Sequence, residues 1–366
     1  MSRRDTYLDW NATAPLRPEA VAAMAEALTL CGNPSSVHRW GRAARQRVEA
    51  AREAVAALVG APADGVTFTS GGTEANHFAI RGSGRERVLV SAVEHSSILQ
   101  ASPDPERIPV DRNGVVDLAA LSAILAADTR PALVSVMLAN NETGTIQPVR
   151  EIASIAHACG ALFHCDAVQA AGKIPLSIAE MDADFVTLSA HKIGGPSGIG
   201  AVVSAGSELT ALQRGGGQER NRRAGTENLA GIAGFAATAR AADPAEYGRV
   251  RDLRDRLEAA LPDAVVIGGE TSRLPNTSAI AMPGVPAETQ IIAFDLDGVM
   301  VSAGSACSSG KVGSSHVLAA MGIGPAIAEV TIRVSLGWST TEADIAHFID
   351  AWTALHRRTH GRARAA

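Results

Sequence analysis

Asp184-Phe185-Val186-Thr187-Leu188, followed by Ser189-Ala190-His191-Lys192-Ile193-Gly194-Gly195-Pro196-Ser197-Gly198-Ile199-Gly200, decides the fold. An apolar strand delivers a single lysine into a turn, between a histidine, two hydroxyls and a run of glycines. A lysine that holds an aldehyde cofactor needs its charge disfavoured and its stem fixed, and a phosphate beside it needs hydroxyls and free backbone N–H groups. On its own, a lysine in a glycine loop is equally well an ordinary surface lysine. The neighbouring segments separate the two.

Upstream, Ala161-Leu162-Phe163-His164-Cys165-Asp166-Ala167-Val168-Gln169 reads as an apolar strand ending in an acid, with a carboxamide three residues later. An acid at the carboxyl end of a strand in an open α/β sheet sits where ligands bind, and it can pair with a protonated pyridine nitrogen. Gln169 could donate to the phenolic oxygen of such a ring. His164, Cys165 and Asp166 do not read as a metal cluster, because adjacent strand residues point to opposite faces. Val66-Thr67-Phe68-Thr69-Ser70-Gly71-Gly72-Thr73-Glu74-Ala75-Asn76 reads as a strand, a glycine turn and a helix start, a phosphate site if it is more than a cap.

Working outward, Ala132 to Leu138 reads as a strand, Val149 to Cys159 as a helix, and Glu246 to Leu261 as a long helix leading toward a smaller domain. Strands alternating with helices predict a mostly parallel sheet covered on both faces. The 366 residues are 46% hydrophobic and 19% charged with net charge −5, which fits a large α/β unit plus a smaller one and argues against nucleic-acid binding. Neither a signal peptide nor a membrane span is expected, because no apolar stretch follows Met1-Ser2-Arg3-Arg4. The basic end, Leu355 to Arg364, is expected to be a solvated tail.

The four cysteines form no CxxC pair, so neither a disulfide framework nor a zinc site is suggested, in keeping with a reducing cytoplasm. Cys159, at a helix end, and Cys165, in a strand, read as small core residues. Cys307 differs, because Ser302-Ala303-Gly304-Ser305-Ala306-Cys307-Ser308-Ser309-Gly310 has little apolar anchorage and suits an exposed, reactive thiol. The stretch is not a P-loop: five residues separate Gly304 from Gly310-Lys311 where four are required, and Val312 stands where a magnesium-binding hydroxyl belongs.

The order of motifs resembles the cysteine desulfurases of the class V aminotransferase group, of the nitrogen-fixation and housekeeping type with a long catalytic loop. The resemblance runs from Leu8-Asp9-Trp10-Asn11-Ala12-Thr13 through Glu94-His95-Ser96-Ser97, Asn140-Asn141-Glu142-Thr143-Gly144 and Ala224-Gly225-Thr226-Glu227-Asn228 to Ser305-Ala306-Cys307 and Arg333-Val334-Ser335. It implies a fold-type I pyridoxal 5′-phosphate enzyme with a mostly parallel large domain, residues 14–250. A smaller α+β domain, residues 1–13 and 251–366, would carry the cysteine loop. By the same resemblance Lys192 would hold the cofactor as a Schiff base and His95 would stack on its ring. Gly72, Thr73, Ser189 and His191 would bind its phosphate, with Thr226 reaching across a homodimer interface. Asn141 and Arg333 would take the substrate carboxylate, and Cys307 would attack the sulfur of L-cysteine.

The expected product is L-alanine, with a persulfide passed to an acceptor such as an iron–sulfur scaffold protein. Ser197 departs from the pattern where a basic residue is usual, and Asn221 where a small one is. The alternatives are another enzyme with the same fold and cofactor, such as an aminotransferase or selenocysteine lyase, or a carrier that only binds. Cys307 discriminates against transamination, which needs no thiol there.

Overall fold

A computed structural model describes residues 5–304 and 315–363; Cys307 lies outside the described residues. The strands in chain order are β1 (Thr6–Tyr7), β2 (Val66–Thr69), β3 (Arg87–Ser91), β4 (Glu106–Ile108), β5 (Ala132–Met137), β6 (Leu162–Asp166) and β7 (Phe185–Ser189). They continue as β8 (Gly200–Ser204), β9 (Val265–Ile267), β10 (Thr277–Ala281), β11 (Val299–Met300), β12 (Ser302–Ala303) and β13 (Thr331–Ser335). A seven-stranded sheet runs in the order β2-β8-β7-β6-β5-β3-β4. Its β7-β6-β5-β3-β4 portion is parallel, and only β8 runs against its neighbours.

Both faces of that sheet are buried, as the near-continuous apolar strands require. In β5, Val134 and Val136 enter one core cluster, with Ile152 and Ala156 of the helix Val149–Ala158, while Leu133 enters another with Phe78 of the helix Gly72–Gly82. The period-two alternation of strand side chains sorts them. Carboxyl-terminal strand residues Met137, Asp166 and Ser189 consequently emerge at one edge and line one cavity.

A second, antiparallel sheet, β12-β13-β10-β9, forms from residues 265–335. Its core includes Ile280, Ile332 and Val334, with Phe294 stacked on Trp352 at 6.2 Å. The N-terminal segment joins this part of the molecule: β1 pairs with β11 in parallel, Leu8 lies in the same cluster, and Leu8 O accepts from Ser335 N. Residues at opposite ends of the chain therefore reach the same wall of the cavity.

Two expectations are corrected. The basic end is not a solvated tail but the last turns of the helix Glu342–Ala363, in which Leu355 is buried while Arg357 and Arg358 are exposed. A one-sided apolar stripe holds it to the small core. Cys159 is not a core residue but an exposed helix C-cap; Cys165 is buried as expected.

Candidate active site

Lys192 ends a short 3-10 turn, Ala190–Lys192, directly after β7. Its Nζ donates to Ala12 O at 2.8 Å and to Asn11 O, so the lysine is held by backbone carbonyls of the N-terminal segment. The cavity around it has a volume of about 340 Å³, within the range of small-molecule sites.

Asp166 lies on its floor, 6% exposed. One carboxylate oxygen accepts from Asn76 Nδ2 at 2.8 Å and the other from Val168 N at 2.9 Å. Burial raises its pKa, opposed by those two hydrogen bonds and by His95 and Lys192. Beneath it runs a buried relay: Thr187 Oγ1 donates to Asn76 Oδ1 at 2.6 Å, His164 Nε2 lies 3.1 Å from that hydroxyl, and His164 Nδ1 lies 2.8 Å from Ser135 Oγ. Burial pushes His164 down to about 3, so the ring is neutral and acts as a hydrogen-bonding spacer. Among the described residues no group of three or more His, Cys, Asp or Glu could hold a metal ion.

His95 caps the short helix Ser96–Leu99 through Nδ1, which accepts from Ser97 N at 3.1 Å. Burial lowers its pKa, Asp166 opposes this, and Lys192 and His316 add to it. His191, with Nδ1 3.2 Å from Thr13 Oγ1, is pushed down to about 4 by burial and then by Lys192 and Lys173. It is therefore neutral at neutral pH.

Gly72 and Thr73 open the helix Gly72–Gly82 and line the cavity with Ser189 and His191. Gly71, with φ of 152°, makes the sharp entry that a side chain would strain. Glu74 would repel an anion at this helix start, but Arg223 Nε meets it at 2.8 Å. The free N–H groups of the first turn then suit a phosphate.

Arg333, in β13, is 4% exposed. Nη2 donates to Asp9 Oδ1 at 2.7 Å and Nη1 to Asn141 O at 3.2 Å, while its buried Nε finds no acceptor among the described residues. Asn141 lines the cavity beside it. Gln169 also lines the cavity, its Nε2 donating to Asn11 O at 3.0 Å and its Oε1 accepting from Lys173 Nζ at 3.0 Å.

One cavity thus gathers Lys192, His95, Asp166, Gln169, Gly72, Thr73, Ser189, His191, Asn141 and Arg333. Thr226 is exposed and is not part of it. Asn11, Asn76 and Lys173 escaped the sequence reading. Asn11 accepts from Lys192 and Gln169 on its carbonyl, and from Lys173 and Asn276 on its side chain. A loop asparagine such as Asn11 looks like a turn residue, Asn76 lies inside a helix with no local mark of its role, and only the apolar run before Gly172-Lys173 hints at a buried lysine.

The aminotransferase class-V family model matches residues 6–348. The chain belongs to this family. It is 46% identical over 364 residues to a cysteine desulfurase of Cereibacter sphaeroides, covering 94% of each chain. A solved NifS-like protein of Rickettsia africae superposes with a TM-score of 0.90 at 35% identity, covering 96% of this chain and 99% of the other. SspA in complex with cysteine superposes with a TM-score of 0.80 at 27% identity, covering 90% and 98%. The family uses pyridoxal 5′-phosphate. The cavity fits that group: a buried carboxylate with only uncharged hydrogen-bond donors can meet a protonated ring nitrogen, a lysine lines the same cavity, and a helix start with hydroxyls offers a phosphate cradle.

Proposed function

We propose that the chain removes sulfur from L-cysteine, releasing L-alanine and keeping the sulfur as a persulfide on Cys307. The convergence of Lys192, Asp166 and Arg333 on one cavity carries this reading, since it sets an amine, a ring-nitrogen partner and a carboxylate clamp around one amino-acid-sized space. Relatives named cysteine desulfurase and a related structure holding cysteine support the substrate.

Pyridoxal 5′-phosphate, when bound, supplies the electron sink that lets the substrate's Cα–H bond ionise. Asp166 would hold its ring nitrogen, Gln169 its phenolic oxygen and His95 its ring face, while Gly72, Thr73, Ser189 and His191 would hold its phosphate. Arg333 and Asn141 bind the substrate carboxylate, for which a guanidinium offers parallel N–H donors. Lys192 takes the α-proton at Nζ. The Cys307 thiolate forms an S–S bond to the substrate sulfur as the Cβ–S bond breaks. The electron pair stays with carbon, which is protonated toward alanine, so sulfur is oxidised and carbon reduced without an outside oxidant.

We also propose a homodimer in which Thr226, exposed on one subunit, serves the phosphate bound by a second copy, in the cytoplasm, with an iron–sulfur scaffold or another protein as sulfur acceptor. Residues 14–250 then form the cofactor domain, and residues 1–13 with 251–366 the smaller one.

Cys307→Ser tests the sulfur step. The variant should keep the cofactor's spectral response to cysteine and lose alanine and sulfide release, because a hydroxyl does not supply the attacking anion. Turnover at the parent rate would make Cys307 dispensable and favour a lyase or aminotransferase.

A further inference from the structure

Glu142 belongs to the loop that presents Asn141, yet its side chain does nothing for that loop. The turn is fastened by Asn140, whose Oδ1 accepts from Glu142 N at 2.9 Å and Thr143 N at 3.0 Å and whose Nδ2 donates to Val93 O at 3.0 Å. The Glu142 carboxylate, 5% exposed, turns instead to two residues far away in sequence. Ser315 Oγ donates to its Oε2 at 2.6 Å. Gly304 lies against the same oxygen, which a Cβ at that position would push aside.

Gly304 and Ser315 are the described residues on either side of the segment that contains Cys307. Each flank also has an attachment of its own on the other side. Gly304 directly follows β12, in which Ser302 pairs with Arg333. Ser315 caps the helix His316–Ala320 through Leu318 N, and His316 Nε2 lies 2.9 Å from Glu94 O. Glu142 therefore meets both flanks, by a hydrogen bond at Ser315 and by close packing at Gly304, and its backbone neighbour Asn141 accepts from Arg333.

We propose that Glu142 is a positioning residue that ties both flanks of the Cys307 segment to the loop binding the substrate carboxylate. This rests on the role proposed for Cys307. The points at which a chain segment is anchored limit how far a group on it can reach, so displacing either flank displaces the reach of the thiol. Pinning both ends of a segment also removes conformations it would otherwise sample, raising the effective concentration of a group it carries. Burial raises the pKa of Glu142, with Ser315, His316 and Arg333 opposing, which favours a neutral acceptor over a bare charge.

The test uses cofactor-loaded full-length protein carrying Glu142→Ala, Glu142→Gln or Ser315→Ala, with two readouts. The first is the cysteine concentration that half-saturates the cofactor's spectral change; the second is the rate of alanine formation in a single turnover without reductant. Glu142→Ala should leave the first within about twofold and slow the second about tenfold or more. Glu142→Gln keeps a carbonyl acceptor for the Ser315 hydroxyl and should recover most of the rate. Ser315→Ala, which leaves the Asn141 loop untouched, should show a smaller loss of the same kind. Parent-rate alanine formation by Glu142→Ala, an equal loss in both readouts, or a Gln variant as slow as the Ala variant would each overturn the proposal. Failure of the Cys307 role itself would show separately, as alanine formation persisting in Cys307→Ser.

Discussion

Asp166 and Arg333 are both buried charged side chains on the wall of one cavity, and they are finished differently. Each carboxylate oxygen of Asp166 has its donor, and the relay through Asn76, Thr187 and His164 ties it between the helix Gly72–Gly82 and the parallel sheet. Arg333 keeps a buried Nε without an acceptor among the described residues. The first is a preorganised floor whose geometry owes nothing to a ligand, and the second is a clamp with donor capacity in reserve. The fold alone sets the Asp166 floor, whereas the Arg333 wall keeps a donor for the carboxylate it is proposed to bind.

The hardest test of this contrast is Lys192→Ala. The folded floor should survive, shown by unchanged circular dichroism and a cofactor that still binds without a covalent link, while turnover falls by at least about 10³-fold. Borohydride reduction and peptide mapping of the parent protein should find the cofactor on Lys192. Capture on a different lysine would break the assignment.

Arg333→Gln sharpens the other half. Loss of a charge-assisted clamp should raise the half-saturating cysteine concentration by about 10- to 100-fold, with the cofactor spectrum retained. The substitution also strips Asp9 of its ion pair, so thermal unfolding belongs beside the titration. A collapse in Tm with unchanged cysteine affinity would make Arg333 a structural tie and erase the distinction.

The smallest effect concerns the buried interior next to the floor. Burial pushes the Glu94 carboxyl up to about 8 from an ordinary 4.5. Between those values the folded chain holds a proton that the unfolded chain releases. Its contribution to stability is therefore full below about 4.5 and is lost as pH rises through about 8. His164, ordinarily near 6.5 and here about 3, has the opposite sign, losing stability as pH falls below 6.5. Above pH 6.5 only Glu94 of this pair changes, at a rate of about 1.4 kcal/mol per pH unit at most. Glu94→Gln should flatten the decline in urea midpoint between pH 6.8 and pH 8.2. An unchanged slope would mean that Glu94 is ionised in the fold.

Much of the floor could be read directly. Phe185 to Ser189 and Leu162 to Asp166 are short apolar runs that stop at polar residues, and the position of Lys192 and Asp166 at one sheet edge follows from strand ends in a parallel sheet. The clamp could not be read that way. Arg333 lies on an antiparallel sheet, and its partners Asp9 and Asn141 come from segments whose approach no local pattern encodes. Its place was expected from family resemblance alone. The reversed direction of β8 was equally hidden, because pairing partners leave no trace in a strand's own sequence. Leu355 shows the converse: Arg357 and Arg358 beside it gave the look of a solvated end, while the burial of Trp352 and Leu355 holds that end as helix.

The bridge between the two chain ends has a consequence for synthesis. Asp9 meets Arg333, Asn11 N donates to Ser335 Oγ, and Ser335 N donates to Leu8 O, so this wall of the cavity joins segments more than three hundred positions apart. A chain still on the ribosome can lay down the parallel sheet and its floor while Asn11, which also holds Lys192, waits for a partner more than three hundred residues away. The Arg333 wall of the cavity is therefore closed only after residue 335 has emerged, later than the floor.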